Sequence, residues 1–392
     1  MNKTTKGAWG IRSAVVFTLF ALSLSACDFE VVNPGVISED ALNSEDAVGM
    51  VLNGLIGDVE EGFGDLALHS ALAADELSFS GTRSWLFNAG KGDLRPEDGS
   101  YIYHDLATAT WTSVTGLARI TELGASADEI ATANLYAGFI HRAMGDNYCA
   151  YVFDGGEMMD KNEWFNKALA YFQAASSGSG DIGLAGRAGQ AQVLVALERY
   201  SEAATLAAQI DDDFAWYAQY TDLDTSNLWE ETQNQTQATV WNTPIVALGE
   251  TGDPRVPWED EERNGAGGDP FFRQDKYKVR GDDHPLARGW EMRLIEAEAM
   301  LRSGEWEDAM DKINYVRDAF GMPDATAGNA AETWDALSHE RLVMMWLEGR
   351  RLFDLYRFDD PFLSGRDYCF PFADSELNSN LNLAGCTGPA CS

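Results

Sequence analysis

Aromatic faces set beside amide, ammonium and hydroxyl groups suit a protein to holding a sugar. The ring covers the C–H face of a pyranose while the polar groups bond its hydroxyls. Two stretches carry these residue types. Trp85, Phe87, Asn88, Lys91, Tyr101 and Tyr103 crowd into the first, and Trp229, Trp241, Trp258, Phe271 and Tyr277 are spread through the second. Thiols offer a different chemistry. Cys27 closes Leu24-Ser25-Ala26-Cys27, after a basic start (Lys3, Lys6, Arg12) and an apolar or small run from Ala14 to Ala26. That run is too short to cross a bilayer as a stable helix. The three features together resemble a lipobox, in which a protease cuts before the cysteine and the thiol takes diacylglycerol. Residues 1–26 are thus expected to be a removed signal, with Cys27 as the lipid attachment that tethers residues 27–392 to a membrane.

Cys149, Cys369, Cys386 and Cys391 remain, and an exported chain meets an oxidising compartment. Four cysteines allow three pairings, and spacing does not choose among them. Three lie near the C-terminus, so at least one bridge is expected there. Catalytic patterns are missing. His69, His104, His141, His284 and His339 show no HExxH or ligand-pair spacing, and no GxSxG, GxxxxGK[ST] or strand-following GxGxxG occurs. Asp222 to Asn227 begins like a calcium loop, but Asn227 stands where the turn glycine belongs and Gln233 where the bidentate glutamate belongs. Nothing singles out a carboxylate pair for glycoside hydrolysis. No enzyme, metal or cofactor is expected. The net charge of −35 repels phosphate backbones, so nucleic acid is not an expected partner.

The elements that would position these residues follow helical periodicity. Residues 77–103, broken by Gly81, Gly90, Gly92, Pro96 and Gly99, read as a long loop. Helices are expected over 106–124 and 128–144, which makes Trp111 a core residue. Trp290, Leu294, Ala297 and Leu301 recur at 4, 3 and 4, then Ser303-Gly304 breaks the helix, and Ala309, Ile313, Val316 and Phe320 form a second stripe. Ala191, Tyr200, Ala203 and Ile210 repeat the scheme upstream, and Phe165, Ala168, Phe172 and Ala175 repeat its second half. An aromatic near the turn with alanine three residues on is the pattern of tetratricopeptide hairpins. The expectation is an all-α single domain of such hairpins, interrupted by a loop-rich insertion over about 211–289 with a short strand near 238–248. A continuous helix over 340–357 would bring Arg341, Glu348, Arg351, Asp354 and Arg357 within i+3 or i+4 reach, a structural ion-pair network.

Three stretches resemble the SusD/RagB family of surface lipoproteins. They are Trp290 to Gly304 leading to Ile313-Asn314, Val316-Arg317 and Gly321; His339-Glu340-Arg341 with Glu348 to Arg357; and Phe370-Pro371-Phe372 with Glu376, Asn378, Asn380 and Asn382. Leu352 stands where that family usually has tryptophan, and the chain is short for the family. The resemblance implies a SusD-like fold, an outer-membrane location facing the cell surface, and capture of a nutrient, a glycan or oligosaccharide. It also implies delivery to a TonB-dependent, SusC-like β-barrel transporter. Within that frame the early aromatic set from Trp85 to Tyr103 is the preferred ligand site. A periplasm-facing repeat scaffold and a surface glycosidase are the alternative readings.

Overall fold

The computed structural model describes residues 42–223 and 226–391, apart from the side chains of residues 100 and 101. The expected signal segment, residues 1–26, and Cys27 lie outside the described residues. In chain order come α1 (Val48–Ala73), β1 (Ser78–Phe79), α2 (Ser84–Lys91), α3 (Ser100–Glu122), α4 (Ala127–Asn147), β2 (Ala150–Tyr151), β3 (Met159–Asp160), α5 (Lys161–Ala175), α6 (Gly180–Ala196) and α7 (Tyr200–Ala207). There follow β4 (Ala215–Ala218), α8 (Asn227–Trp229), β5 (Ala238–Thr239), α9 (Pro244–Glu250), β6 (Trp258–Asn264), β7 (Pro270–Gln274) and β8 (His284–Arg288). The chain then runs through α10 (Gly289–Ser303), α11 (Trp306–Ala319), α12 (Ala330–Met344), α13 (Arg351–Arg357) and α14 (Asp374–Ser379).

The helical stripes read from the sequence are the buried faces. Phe165, Ala168, Phe172 and Ala175 are inaccessible, as are Ala203, Leu294, Ala297, Ala309, Ile313 and Val316. Each helix packs on its successor through α3, α4, α5, α6 and α7; α7 then packs on α10, and α10 on α11 and α12. This is a ladder of helical hairpins, and the chain is mostly helical with a tetratricopeptide-like architecture. Helix ends are set locally. Ser126 and Asp160 form capping boxes with Glu129 and Glu163, and Gly304 ends α10 with a left-handed φ of 89°. Close approach relies on glycine. A Cβ at Gly138 of α4 would come within 2.6 Å of the Phe172 ring, and one at Gly189 of α6 within 2.3 Å. One ring thus wedges three helices together. The strands form four separate antiparallel pairs, β1–β5, β2–β3, β4–β8 and β6–β7, rather than a layer.

Three expectations need correction. Residues 77–103 are not a long loop: they hold β1, α2 and the start of α3, and of their glycines Gly92 alone is left-handed, capping α2. The insertion holds β4 to β8, and the strand expected near 238–248 is the short β5 followed by helix α9. The continuous 340–357 helix is broken. Between α12 and α13 Leu347 and Gly349 take left-handed φ values of 61° and 67°, and the Leu347 N–H is taken by Glu76 Oε1 at 2.7 Å.

The break redistributes the ion pairs. Arg341 still grips Asp354 in a fork of 2.7 and 3.0 Å, and Arg357 joins the same carboxylate at 2.7 Å. Arg351 instead forks onto Asp75 at 2.7 and 2.8 Å, while Glu348 accepts from Lys276 and Arg288. The guanidinium of Arg357 also reaches Glu298 of α10. Charges this closely matched tie α13 to α10 and to the chain just after α1.

Candidate functional site

Ile102, Leu106, Ala109, Ser113, Gly116 and Ile120 form the buried stripe of α3, at intervals of 4, 3, 4, 3 and 4. Trp111 lies two positions beyond Ala109, about 200° around the helix from it. It therefore faces outward and is 48% exposed. The sequence reading of Trp111 as core is wrong for this geometric reason: helical context does not bury a residue on the wrong face.

Trp111 stands at the rim of a cleft of about 330 Å³. Ala107, Thr108 and Thr110 of α3 continue its wall, and Tyr103, one turn earlier, reaches the floor. Opposite stand Tyr151 of β2 and the turn that follows, Val152, Phe153, Asp154 and Gly155. In that turn the Gly156 N–H donates to the Phe153 carbonyl at 2.9 Å, and Asp154 and Gly155 both have positive φ (49° and 67°). Positive φ at both central positions is the requirement of a type I′ turn. It places Phe153 and Asp154 in the cleft lining. Glu376 of α14 closes the third side.

The walls are fixed to one another. Asn380 donates to Glu376 at 2.8 Å and to the Gly156 carbonyl at 2.9 Å, while Asn382 donates to the Gly155 carbonyl at 3.1 Å. A disulfide joins Cys149, just ahead of β2, to Cys369, with Cα atoms 5.3 Å apart. Cys386 pairs with Cys391, which completes one of the three possible pairings. Tyr103 packs 5.1 Å from the Tyr151 ring, centroid to centroid. Burial, and then the charge of Glu376, push its hydroxyl up, so it stays a neutral donor.

Among the described side chains of the early set, only Tyr103 lines this cleft. Trp85 is half-buried under the Arg83 guanidinium and borders a void of about 20 Å³, too small for a sugar. Phe87 is exposed, edge-on to Phe79, with Lys91 Nζ 3.9 Å from its ring centre. Asn88 donates to Asp98 at 2.6 Å. The Tyr101 side chain lies outside the described residues. The set is not gathered into one site.

The later aromatics largely support the insertion. Phe271 and Tyr277 are buried, Trp258 stacks on Phe272 at 5.0 Å, and the Trp229 indole N–H bonds the Lys278 carbonyl. Trp241 is half-buried. Ser226 and His284 meet at 3.1 Å, a pair of types that could serve as nucleophile and base. Both are buried, and the Ser226 hydroxyl already caps the Trp229 N–H. Burial also pushes His284 down to about 3.

Residues 271–383 match the SusD family model. Among solved structures, a laminarin-binding SusD-like protein aligns with a TM-score of 0.69 at 14% identity, covering 86% of this chain and 98% of that one. A SusD-like carbohydrate-binding protein from Bacteroides vulgatus aligns at 0.65 and 14%, covering 87% and 97%. A SusD superfamily protein from Bacteroides thetaiotaomicron aligns at 0.68 and 14%, covering 87% and 97%. At these identities the alignments establish the fold. Curated protein sequences give no match.

Proposed function

Starting from a chain that is SusD-like in sequence over residues 271–383 and in fold along its described residues, we propose that it captures a glycan at the Trp111 cleft without altering it. In this reading it is a surface lipoprotein, anchored in the outer membrane through Cys27, that hands its ligand to a TonB-dependent, SusC-like β-barrel transporter. One observation carries the binding role: an indole left 48% exposed at the rim of a cleft whose walls are held by a disulfide and by side-chain amide bonds. Exposing an indole loses the favourable burial of a large apolar surface, and a flat ring beside fixed polar groups is suited to stacking a pyranose. Preorganised walls lower the ordering entropy lost on binding.

The test is calorimetric titration of the purified protein with oligosaccharides of different linkage, alongside Trp111→Ala. Saturable binding that weakens about tenfold or more in the variant is expected. Equal binding by the variant, or no binding by either protein, would overturn the site. Asp154 and Glu376 are the carboxylates that hydrolysis in this cleft would have to use, so release of shorter products would overturn the non-enzymatic reading. Gentle detergent extraction from the outer membrane should recover a stoichiometric β-barrel. Recovery with periplasmic assembly factors would replace the capture role with a scaffold.

A further inference from the structure

The charge of the cleft is one-sided. Its walls hold the carboxylates of Asp154 and Glu376, and no lysine, arginine or histidine stands among the lining residues. Asp154 is exposed on its turn and Glu376 is half-buried. Asn380 holds the Glu376 carboxylate directly, and Asn380 and Asn382 hold the backbone of the turn that carries Asp154 through the Gly156 and Gly155 carbonyls. Trp111 lines the same opening, and the faces of an indole carry a negative quadrupole. Beyond the cleft, the chain as a whole carries −35, which lowers the local concentration of anions and raises that of cations. A uronate or sulfate ester entering here would bring its charge against two carboxylates with no cation to receive it. An ammonium group would meet a ring face and two acceptors.

We propose that this cleft selects amine-bearing glycans, those containing free hexosamine residues, over neutral ones, and that it excludes uronates and sulfate esters. The inference rests on the cleft being the glycan site. Three oligomers of equal length test it, made of glucosamine, glucose or galacturonic acid and titrated into the purified protein at about pH 6, where sugar amines are protonated. The glucosamine oligomer should bind about tenfold tighter than the glucose oligomer, and the galacturonate oligomer about tenfold weaker. Raising the salt should shrink both ratios, because these groups face solvent.

In a D154N/E376Q double variant, both side chains keep hydrogen-bonding atoms and lose their charge. The preference for amine over neutral oligomer should fall to about one. Galacturonate binding as well as glucose, or a ratio unchanged in the double variant, would overturn the selectivity while leaving the cleft as a glycan site. Failure of all three oligomers would instead sink the site itself, and the selectivity with it.

Discussion

Glu76 is fully buried beneath the break between α12 and α13, where its Oε1 accepts the Leu347 N–H and its Oε2 has no hydrogen-bond partner. Burial pushes its carboxyl from the ordinary glutamate range up to about 8; the Leu347 N–H, Arg351 and Lys276 oppose the rise and the nearby Asp75 adds to it. Its folded pKa lies above the unfolded one, so the folded state holds a proton that the unfolded chain gives up. Stability from this group is therefore whole below the unfolded value and is lost as pH climbs toward 8. At about 1.36 kcal/mol for each pH unit in that window, the loss between pH 5 and pH 8 is about 3–4 kcal/mol. Glu76→Gln keeps an acceptor for Leu347 and cannot ionise. Urea unfolding of both proteins at pH 5, 6.5 and 8 should show near-equal stability at the acid end and a variant more stable by about 3 kcal/mol at pH 8. Other buried acids titrate in both proteins, so the difference between the two curves isolates Glu76. A difference that stays flat across the range, or a variant less stable at pH 8, would refute the reasoning.

Four further perturbations probe the frame. Burial alone would raise Asp354, but the guanidinium groups of Arg341 and Arg357 outweigh it and hold the carboxyl well below the usual range. Asp354→Asn strands Arg341, leaves Arg357 with Glu298 alone, and should lower stability by about 3–5 kcal/mol. Because the folded value is depressed, the wild-type advantage is present above the ordinary carboxylate pKa and shrinks as pH falls through it, which acid titration of unfolding would show. Gly189→Ala drives a methyl into the Phe172 ring and should lower stability by about 1–3 kcal/mol, with recovery when Phe172 is also changed to Leu, both read from urea midpoints. Replacing Cys149 and Cys369 by serine opens a loop of sequence separation 220 and should lower stability by about 2–5 kcal/mol. The same change at Cys386 and Cys391, with separation 5, should stay at about 2 kcal/mol or below, and urea unfolding with and without reductant distinguishes them.

What the sequence could show was what repeats locally. The hairpin stripes were legible because one helix face repeats every three or four residues, whatever the rest of the chain does. The same rule was enough to place Trp111 on the surface, since Ile102, Leu106, Ala109 and Ser113 mark the buried face and Trp111 lies off it. Glycine misled in residues 77–103, because Gly90 sits inside α2 and Gly92 merely ends it. The ion-pair helix failed for a different reason. A leucine in the left-handed region carries no sequence signal, and once the helix breaks there Arg351 turns to Asp75, far away in the chain. The cleft was partly hidden for the same reason of distance: Tyr103, Trp111, Phe153 and Glu376 come from three separate segments that only the tertiary packing brings together.

The amide bonds from Asn380 and Asn382 to the turn at Gly155 and Gly156 also bear on how such a binding surface can diverge. The turn residue Asp154 projects from backbone that another segment holds in place, so neither segment can be altered alone without shifting the other. Specificity here should change in paired steps, a substitution in 153–156 accompanied by one in 376–382, while the helical ladder beneath is left alone. A collection of natural variants sorted by the glycan they bind should therefore show these two short segments covarying, with the stripes around Phe172 and Ala297 unmoved.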